Sequence, residues 1–311
     1  HQVAEVRSTG MQALEFDSSV ELLDGDQVRQ RVTSPTYLGA LFDPNVALVN
    51  PARLAWGLQA AAQRMGVRIH EYSPVRSLSD HGNVVVADVG RAQRATTAEA
   101  LTVPVHARRV ALATNAFPPL LRRVRSYVVP VWDYVIVTEP LSAQQWESLH
   151  WQGREGISDA GNQFHYYRPT ADGRILWGGY DAIYHRGNGF GPQYAADTEA
   201  FARLAEHFLQ TFPQLGGVQF THGWGGAIDT CSRFSPFWGL AHRGKTGYVA
   251  GYTGLGLGSS RFGAATMLDL LEGLRTERTE LRMVRTRPMP FPPEPLRSLG
   301  ISWTVAALRA A

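Results

Sequence analysis

The chain has 311 residues, 44% of them hydrophobic and 18% charged, with a net charge of +3. That length suggests two domains or one large one, with ample apolar material for a core and too little charge for disorder. The near-balance of charge gives no ground for a nucleic-acid or membrane-surface partner, and no run approaches the ~18 apolar residues of a membrane span. The chain opens His1-Gln2-Val3-Ala4-Glu5-Val6-Arg7, with neither an initiator Met nor the regions of a signal peptide. A soluble, cytoplasmic protein is expected, and the missing Met leaves room for a start further upstream.

The first 30 residues are polar and mixed, and Glu21 to Val28 reads as a strand or turn leading into a short helix. Tyr37 to Leu48 reads as short strands around the turn Asp43-Pro44-Asn45. Asn50-Pro51 starts a helix, with Asn as N-cap and Pro at the first helical position. Leu54, Leu58, Ala61, Ala62 and Met65 give it an apolar face, and Gly66 ends it. Val67-Arg68-Ile69-His70 follows as a strand, with another at Val75 to Leu78. Val84 to Ala87 and Leu101 to Val105 form hairpin arms around a variable Ala-, Thr- and Arg-rich loop. Arg109 to Ala113 reads as a buried parallel strand closed by Thr114-Asn115-Ala116.

The middle of the chain changes texture. Tyr127 to Thr138 is β-branched and aromatic, hence a long strand. Phe164 to Pro169 and Arg174 to Gly179 flank the turn Thr170-Ala171-Asp172-Gly173, a hairpin signal. Thr198 to Phe212 is helical, and Val218 to Ile228 is a glycine-broken strand. Gly247 to Gly251 is a short strand, Tyr252 to Ser259 a glycine-rich loop, and Arg261 to Leu274 a helix. The Arg- and Pro-rich tail from Arg275 is expected on the surface, with a last helix over 301–311.

The strongest local signal is Gly251-Tyr252-Thr253-Gly254-Leu255-Gly256-Leu257-Gly258, a strand-to-helix turn. Free N–H groups and the helix dipole at such a turn favour an electron-rich ligand atom, either a phosphate or a flavin carbonyl, and the glycines admit a flat ligand. A tight turn without a ligand has the same pattern. The spacing does not match Gly-x-Gly-x-x-Gly, and P-loop, HExxH and GxSxG patterns are absent. Cys231 is the only cysteine, which excludes an internal disulfide, a CxxC pair and a thiolate metal cage. No His/Asp/Glu spacing suggests a metal.

Five segments occur in order: Asn50-Pro51-Ala52-Arg53-Leu54 with Gly66-Val67-Arg68-Ile69; Val110 to Ala116; Asp172 to Gly179; Gly223-Trp224-Gly225-Gly226; and Gly251 to Gly256. This order resembles the D-amino-acid-oxidase-like family of FAD-dependent oxidoreductases. The similarity is greatest to its gamma-glutamylputrescine oxidoreductase branch, beside glycine and sarcosine oxidases, and covers about residues 20–275. The resemblance implies an α/β (α+β) fold, with a Rossmann-like FAD-binding domain joined to an antiparallel-sheet substrate domain. It divides the chain into connecting and substrate-domain strands (1–49), FAD-binding parts (50–118 and 241–275), a substrate domain (119–240) and a tail (276–311). It implies FAD contacts at Val75, at Ala113, Thr114 and Asn115, and along Gly251 to Gly258.

The substrate would lie against the middle sheet, with Trp132, Tyr134, Tyr167, Arg168, Trp224 and Asp229 as candidates. Each of these has a bland reading too: core aromatics for the tryptophans and tyrosines, a salt bridge for Arg168, a turn cap for Asp229. The implied chemistry is oxidation of an amine or amino-acid C–N bond, hydride passing to flavin N5 and the imine then hydrolysing, with oxygen or another acceptor taking the electrons. No catalytic base is assigned. A remnant lacking FAD, or an FAD enzyme with a non-amine substrate, are the alternatives.

Two departures qualify the resemblance. The family's opening Gly-x-Gly-x-x-Gly unit of ~30 residues is missing, which predicts an N-terminally incomplete FAD domain. The lysine that the sarcosine oxidase branch carries by the flavin is also missing from Ile175-Leu176-Trp177. Lys245 is the only lysine in the chain, so dehydrogenase activity is more secure than oxidase activity.

Overall fold

A computed structural model describes residues 2–16, 19–90 and 102–310. Its centre is the strand Val129–Thr138. Phe220–Thr230 runs antiparallel along one edge of it, and Ile175–Gly179 and Ile183–Tyr184 pair with its other edge. His165–Pro169 and Ile157–Ser158 continue the sheet outward. Gly173, at φ +78°, closes the hairpin between His165–Pro169 and Ile175–Gly179 as expected.

Strand alternation sorts the side chains of this sheet onto two faces. Trp132, Tyr134 and Ile136 share one face with Trp177, Ile175 and Tyr167, and these residues are buried. The helix Thr198–Thr211 covers that face with Ala200, Leu204 and Phe208. Its start is capped by Asp197, whose side chain accepts from Ala200 N at 3.0 Å. Gly225 is needed here, because a Cβ on it would stand 2.5 Å from the Tyr134 ring.

A smaller sheet joins Phe237–Ala241 and Thr246–Ala250 antiparallel, and Val110–Leu112 lies parallel to the latter. This is the one parallel pairing among the described strands. The helix Gly256–Glu272 packs on this sheet through Met267 and Leu271, beside Trp238 and Val249. A three-stranded antiparallel sheet, Val75–His81, Val84–Gly90 and Thr102–Ala107, stands beside it. It is tied on through Asp80, which pairs with Lys245 at 2.9 Å and Arg243 at 2.8 Å.

Several expectations need correction. The variable loop at 91–101 lies outside the described residues. Gln2–Phe16 forms a helix that left no readable signal, whereas Glu21–Asp24 is a strand leading into the short helix Gly25–Arg31 as expected. Gly39–Phe42 is the only strand of Tyr37–Leu48, paired with Glu21–Asp24. Asn50 caps the helix Pro51–Arg64 as expected, but its apolar stripe is uncovered, with Leu58 63% and Met65 85% exposed. Val67–His70 forms no strand, because no described strand runs beside it to accept its hydrogen bonds. Val110–Leu112 is parallel but only half-buried.

The tail is anchored rather than merely superficial. Val284 enters the cluster around Trp238. Arg233 donates to the carbonyls of Ser235 (3.2 Å), Thr286 (3.0 Å), Met283 (2.9 Å) and Pro236. Glu294 accepts from the Tyr184 hydroxyl at 2.7 Å, and Leu296–Ala310 forms the last helix. No helix among the described residues is long and apolar enough to cross a membrane.

Trp177 is fully buried, yet its ring N–H has no partner among the described residues. Trp177→Ala should cost about 3–5 kcal/mol in urea unfolding. Trp177→Phe keeps most of the ring contacts and removes the orphaned donor, so its cost should be much smaller.

Candidate active site

The site is set by two adjacent parallel strands, Val110–Leu112 and Thr246–Ala250, whose carboxyl ends feed neighbouring loops. Ligands of α/β sheets bind at such ends. One loop carries Ala113, Thr114 and Asn115, all exposed, with Asn115 at φ +49°. The other is the glycine loop from Gly251.

The glycine loop is held from below by Asp229. Its carboxylate accepts from Gly251 N at 2.6 Å and Tyr252 N at 3.2 Å, and its carbonyl accepts from Thr253 N at 3.2 Å. Burial raises the Asp229 carboxyl above its ordinary value, and the loop N–H bonds oppose that shift. Thr253 Oγ1 accepts from Cys231 N at 3.3 Å. Gly251, at φ +80°, leaves room for Cys231, which a Cβ would approach to 2.9 Å.

This corrects several expected roles. Asp229 is 2% exposed beneath the loop and accepts from its N–H groups, so it clamps the loop and is closed to a substrate ammonium. Gly251, Tyr252 and Thr253 spend their N–H groups internally, and the Tyr252 ring packs against Gly263 of the helix. The donors left to a ligand are Gly254 and the first turn Gly256, Leu257 and Gly258. The helix therefore begins inside the expected loop. Leu255, its N-cap, supplies no side-chain bond to that turn. A Cβ on Gly258 would meet nothing within 4 Å, and one on Gly254 only Ile228, at 4.0 Å. Val75 belongs to the separate antiparallel sheet.

Ile228 lies on the face of the central sheet opposite the aromatic core, so the loop caps the end of that second face. Register puts Val131, Asp133, Val135 and Val137 on this face, opposite Ile228, Gly226, Trp224 and His222. Gly178, Tyr166, Leu176 and Arg168 extend it. Trp224 is 44% exposed, and a Cβ on Gly226 would meet open space. Tyr166 lies across Gly178 and donates to Asp133 at 2.7 Å. Asp133 also accepts from Tyr134 N at 2.9 Å. No cation of the described residues pairs with it. Burial is the largest influence on Asp133 and raises its carboxyl above the ordinary value.

Of the expected substrate residues, then, only Trp224 and Arg168 reach the open face. Trp132, Tyr134 and Tyr167 are core: Trp132 Nε1 donates to Gly189 O at 3.0 Å and the Tyr134 hydroxyl to Tyr194 O at 2.9 Å. Tyr167 stacks on Trp177 with ring centroids 4.3 Å apart. Asp133 and Tyr166 were missed. The period of two could have found them, since Trp132 and Tyr134 on one face of a strand force Asp133 onto the other.

An open sheet face ending at a glycine-lined helix start, beside a second loop from a parallel strand, is the layout of a flavin-type oxidoreductase. The family model "FAD dependent oxidoreductase" matches residues 2–270, and the chain belongs to that family. It is 31% identical over 264 residues to gamma-glutamylputrescine oxidoreductase of Escherichia coli, covering 83% of this chain and 55% of the relative. A probable oxidoreductase OrdL of Haemophilus influenzae is 29% identical over 272 residues, covering 83% and 57%. The chain thus spans little more than half the length of these relatives. Among solved structures, glycine oxidase from Bacillus cereus superposes with a TM-score of 0.70 at 18% identity, covering 92% of this chain and 74% of that one. L-proline dehydrogenase from P. horikoshii gives 0.68 at 15%, covering 85% and 67%. These likenesses show the same fold.

Asp229→Asn should cost about 1–3 kcal/mol in chemical unfolding, because the amide turns an N–H toward a loop donor. Unchanged stability would mean that Asp229 does not hold the loop.

Proposed function

We propose that the protein takes part in FAD-dependent oxidation of the C–N bond of a small amine or amino acid. When bound, FAD supplies the acceptor for a hydride equivalent from the substrate carbon. The residues present suit that group. Gly226, Gly254 and Gly258 leave their side-chain space empty, so a flat ring can approach the backbone there. The uncapped first turn at Gly256, Leu257 and Gly258 directs N–H groups at an electron-rich oxygen and favours charge that develops on it. On this reading residues 50–118 and 241–275 form the cofactor side and residues 119–240 the substrate side.

The observation that carries the substrate class is Asp133. It is a carboxylate without a cationic partner, on the open face, beside bare Gly226 and exposed Trp224. A substrate ammonium would supply the missing charge, and the Tyr166 hydroxyl keeps the carboxylate oriented. Trp224 offers a ring face to the substrate body. The relatives point the same way, since one is a gamma-glutamylputrescine oxidoreductase and a structural neighbour is a glycine oxidase. Oxygen or another acceptor then takes the electrons.

Two experiments test this. In the flavin-loaded protein, anaerobic mixing with primary and secondary amines, amino acids and 2-hydroxy acids should bleach the flavin only with the amines and amino acids. Bleaching by none of them sinks the amine reading. Asp133→Asn should raise the substrate KM about tenfold or more while retaining flavin. Separately, Gly258→Asp puts an acid in the first helical turn, where it favours the helix. The fold should therefore hold while flavin retention falls. Full retention would place the flavin elsewhere.

A further inference from the structure

A cavity of 680 Å³ lies apart from the open face, among the Tyr37–Phe42 segment, the loop through Glu155 and Asp159, and the end of the helix Thr198–Thr211. Tyr37, Phe42, Tyr167 and Tyr180 supply aromatic wall. The remaining lining includes the carboxylates of Glu155 and Asp159. Asp159 accepts from His165 N at 3.0 Å, from His165 Nδ1 at 2.5 Å and from the Tyr167 hydroxyl at 3.3 Å.

A carboxylate only accepts, so His165 Nδ1 carries a proton toward Asp159. His207 Nδ1 lies 3.0 Å from His165 Nε2, so the two rings form one chain with Asp159. The Tyr167 hydroxyl also lies 2.8 Å from the Tyr37 hydroxyl. Glu155 Oε2 is buried without a hydrogen-bond partner among the described residues. The cationic side chain in the lining, Arg31, is already engaged. It lies 3.5 Å from both Glu21 and Glu155, and 4.1 Å over the Phe42 ring.

A cavity that holds two carboxylates, one with a buried unpartnered oxygen, beside four aromatic side chains matches a ligand that brings N–H donors and positive charge on an aliphatic body. We propose that this cavity is a second binding site, for a small primary alkylammonium compound held between Glu155, Asp159 and the Tyr37 and Tyr180 rings. The proposal is independent of the flavin chemistry, since the cavity shares no residue with the open face.

The test is a titration of the chain with n-butylammonium chloride, followed by the His165 and His207 imidazole NMR signals. 1-Butanol and sodium butyrate serve as controls. These signals are local to the cavity wall, and the Glu155→Gln variant separates binding here from binding beside Asp133. The expected result is a saturable shift with n-butylammonium and none with the controls. Glu155→Gln keeps the shape of the side chain and gives up only its long, 3.5 Å pairing with the half-exposed Arg31, so it should fold, and its Kd for n-butylammonium should rise about tenfold or more. The proposal is overturned by the absence of a saturable shift, by equal binding of 1-butanol, or by an unchanged Kd in folded Glu155→Gln.

Discussion

The pairing of Phe220–Thr230 with the whole length of Val129–Thr138 governs the rest of the molecule. Ten residues of one strand are held against the other, and side chains alternate with a period of two. Shifting the register by one would exchange the two faces entirely. One face carries Trp132, Tyr134 and Ile136 into an aromatic core sealed by a helix. The other is left with Asp133, bare Gly226 and Trp224, and it ends where Ile228 meets the glycine loop. The site is therefore the side of the sheet that the core does not use.

The loop depends on that same strand. The end of Phe220–Thr230 delivers Asp229 and, one residue beyond, Cys231 beneath Gly251. A buried carboxylate with two N–H donors fixes the loop backbone at the cost of desolvating a charge. The gain is positional. The donors nearest the sheet are consumed, so those offered outward are confined to Gly254 and the first helical turn. A flat ligand resting there also faces the open side of the central sheet, because the clamp and the sheet belong to one strand.

Much of this was legible in the amino-acid order. The hairpin around Asp172-Gly173, the Asn50-Pro51 helix start, the helix from Thr198 and the parallel strand after Arg109 rest on local signals that the tertiary fold keeps. The strand at Val67–His70 failed because a strand needs a neighbour, and a residue pattern does not show whether one is present. The candidate substrate residues divided for a different reason. Large aromatics draw attention by size, but burial selects the same residues for the core, as happened to Tyr134 and Tyr167. The polar residue between two buried aromatics was the more informative position. Asp229 was visible as a chemical group, but its role as a clamp depends on Gly251 and Tyr252 being folded over it, which is a long-range fact.

The near-absence of lysine takes on a structural meaning at Arg233. Its guanidinium satisfies carbonyls from Ser235, Pro236, Met283 and Thr286, joining the turn after the central sheet to the segment that follows the last packed helix. No carboxylate is involved in those four bonds, so it works as a planar hub for backbone rather than as half of an ion pair. A lysine ammonium has three donors on a single atom and cannot span carbonyls arranged around a plane. Here the arginine-rich alphabet of the chain is not interchangeable with a lysine-rich one. A drift in composition that is silent across the solvated surface would, at this one residue, unfasten the tail.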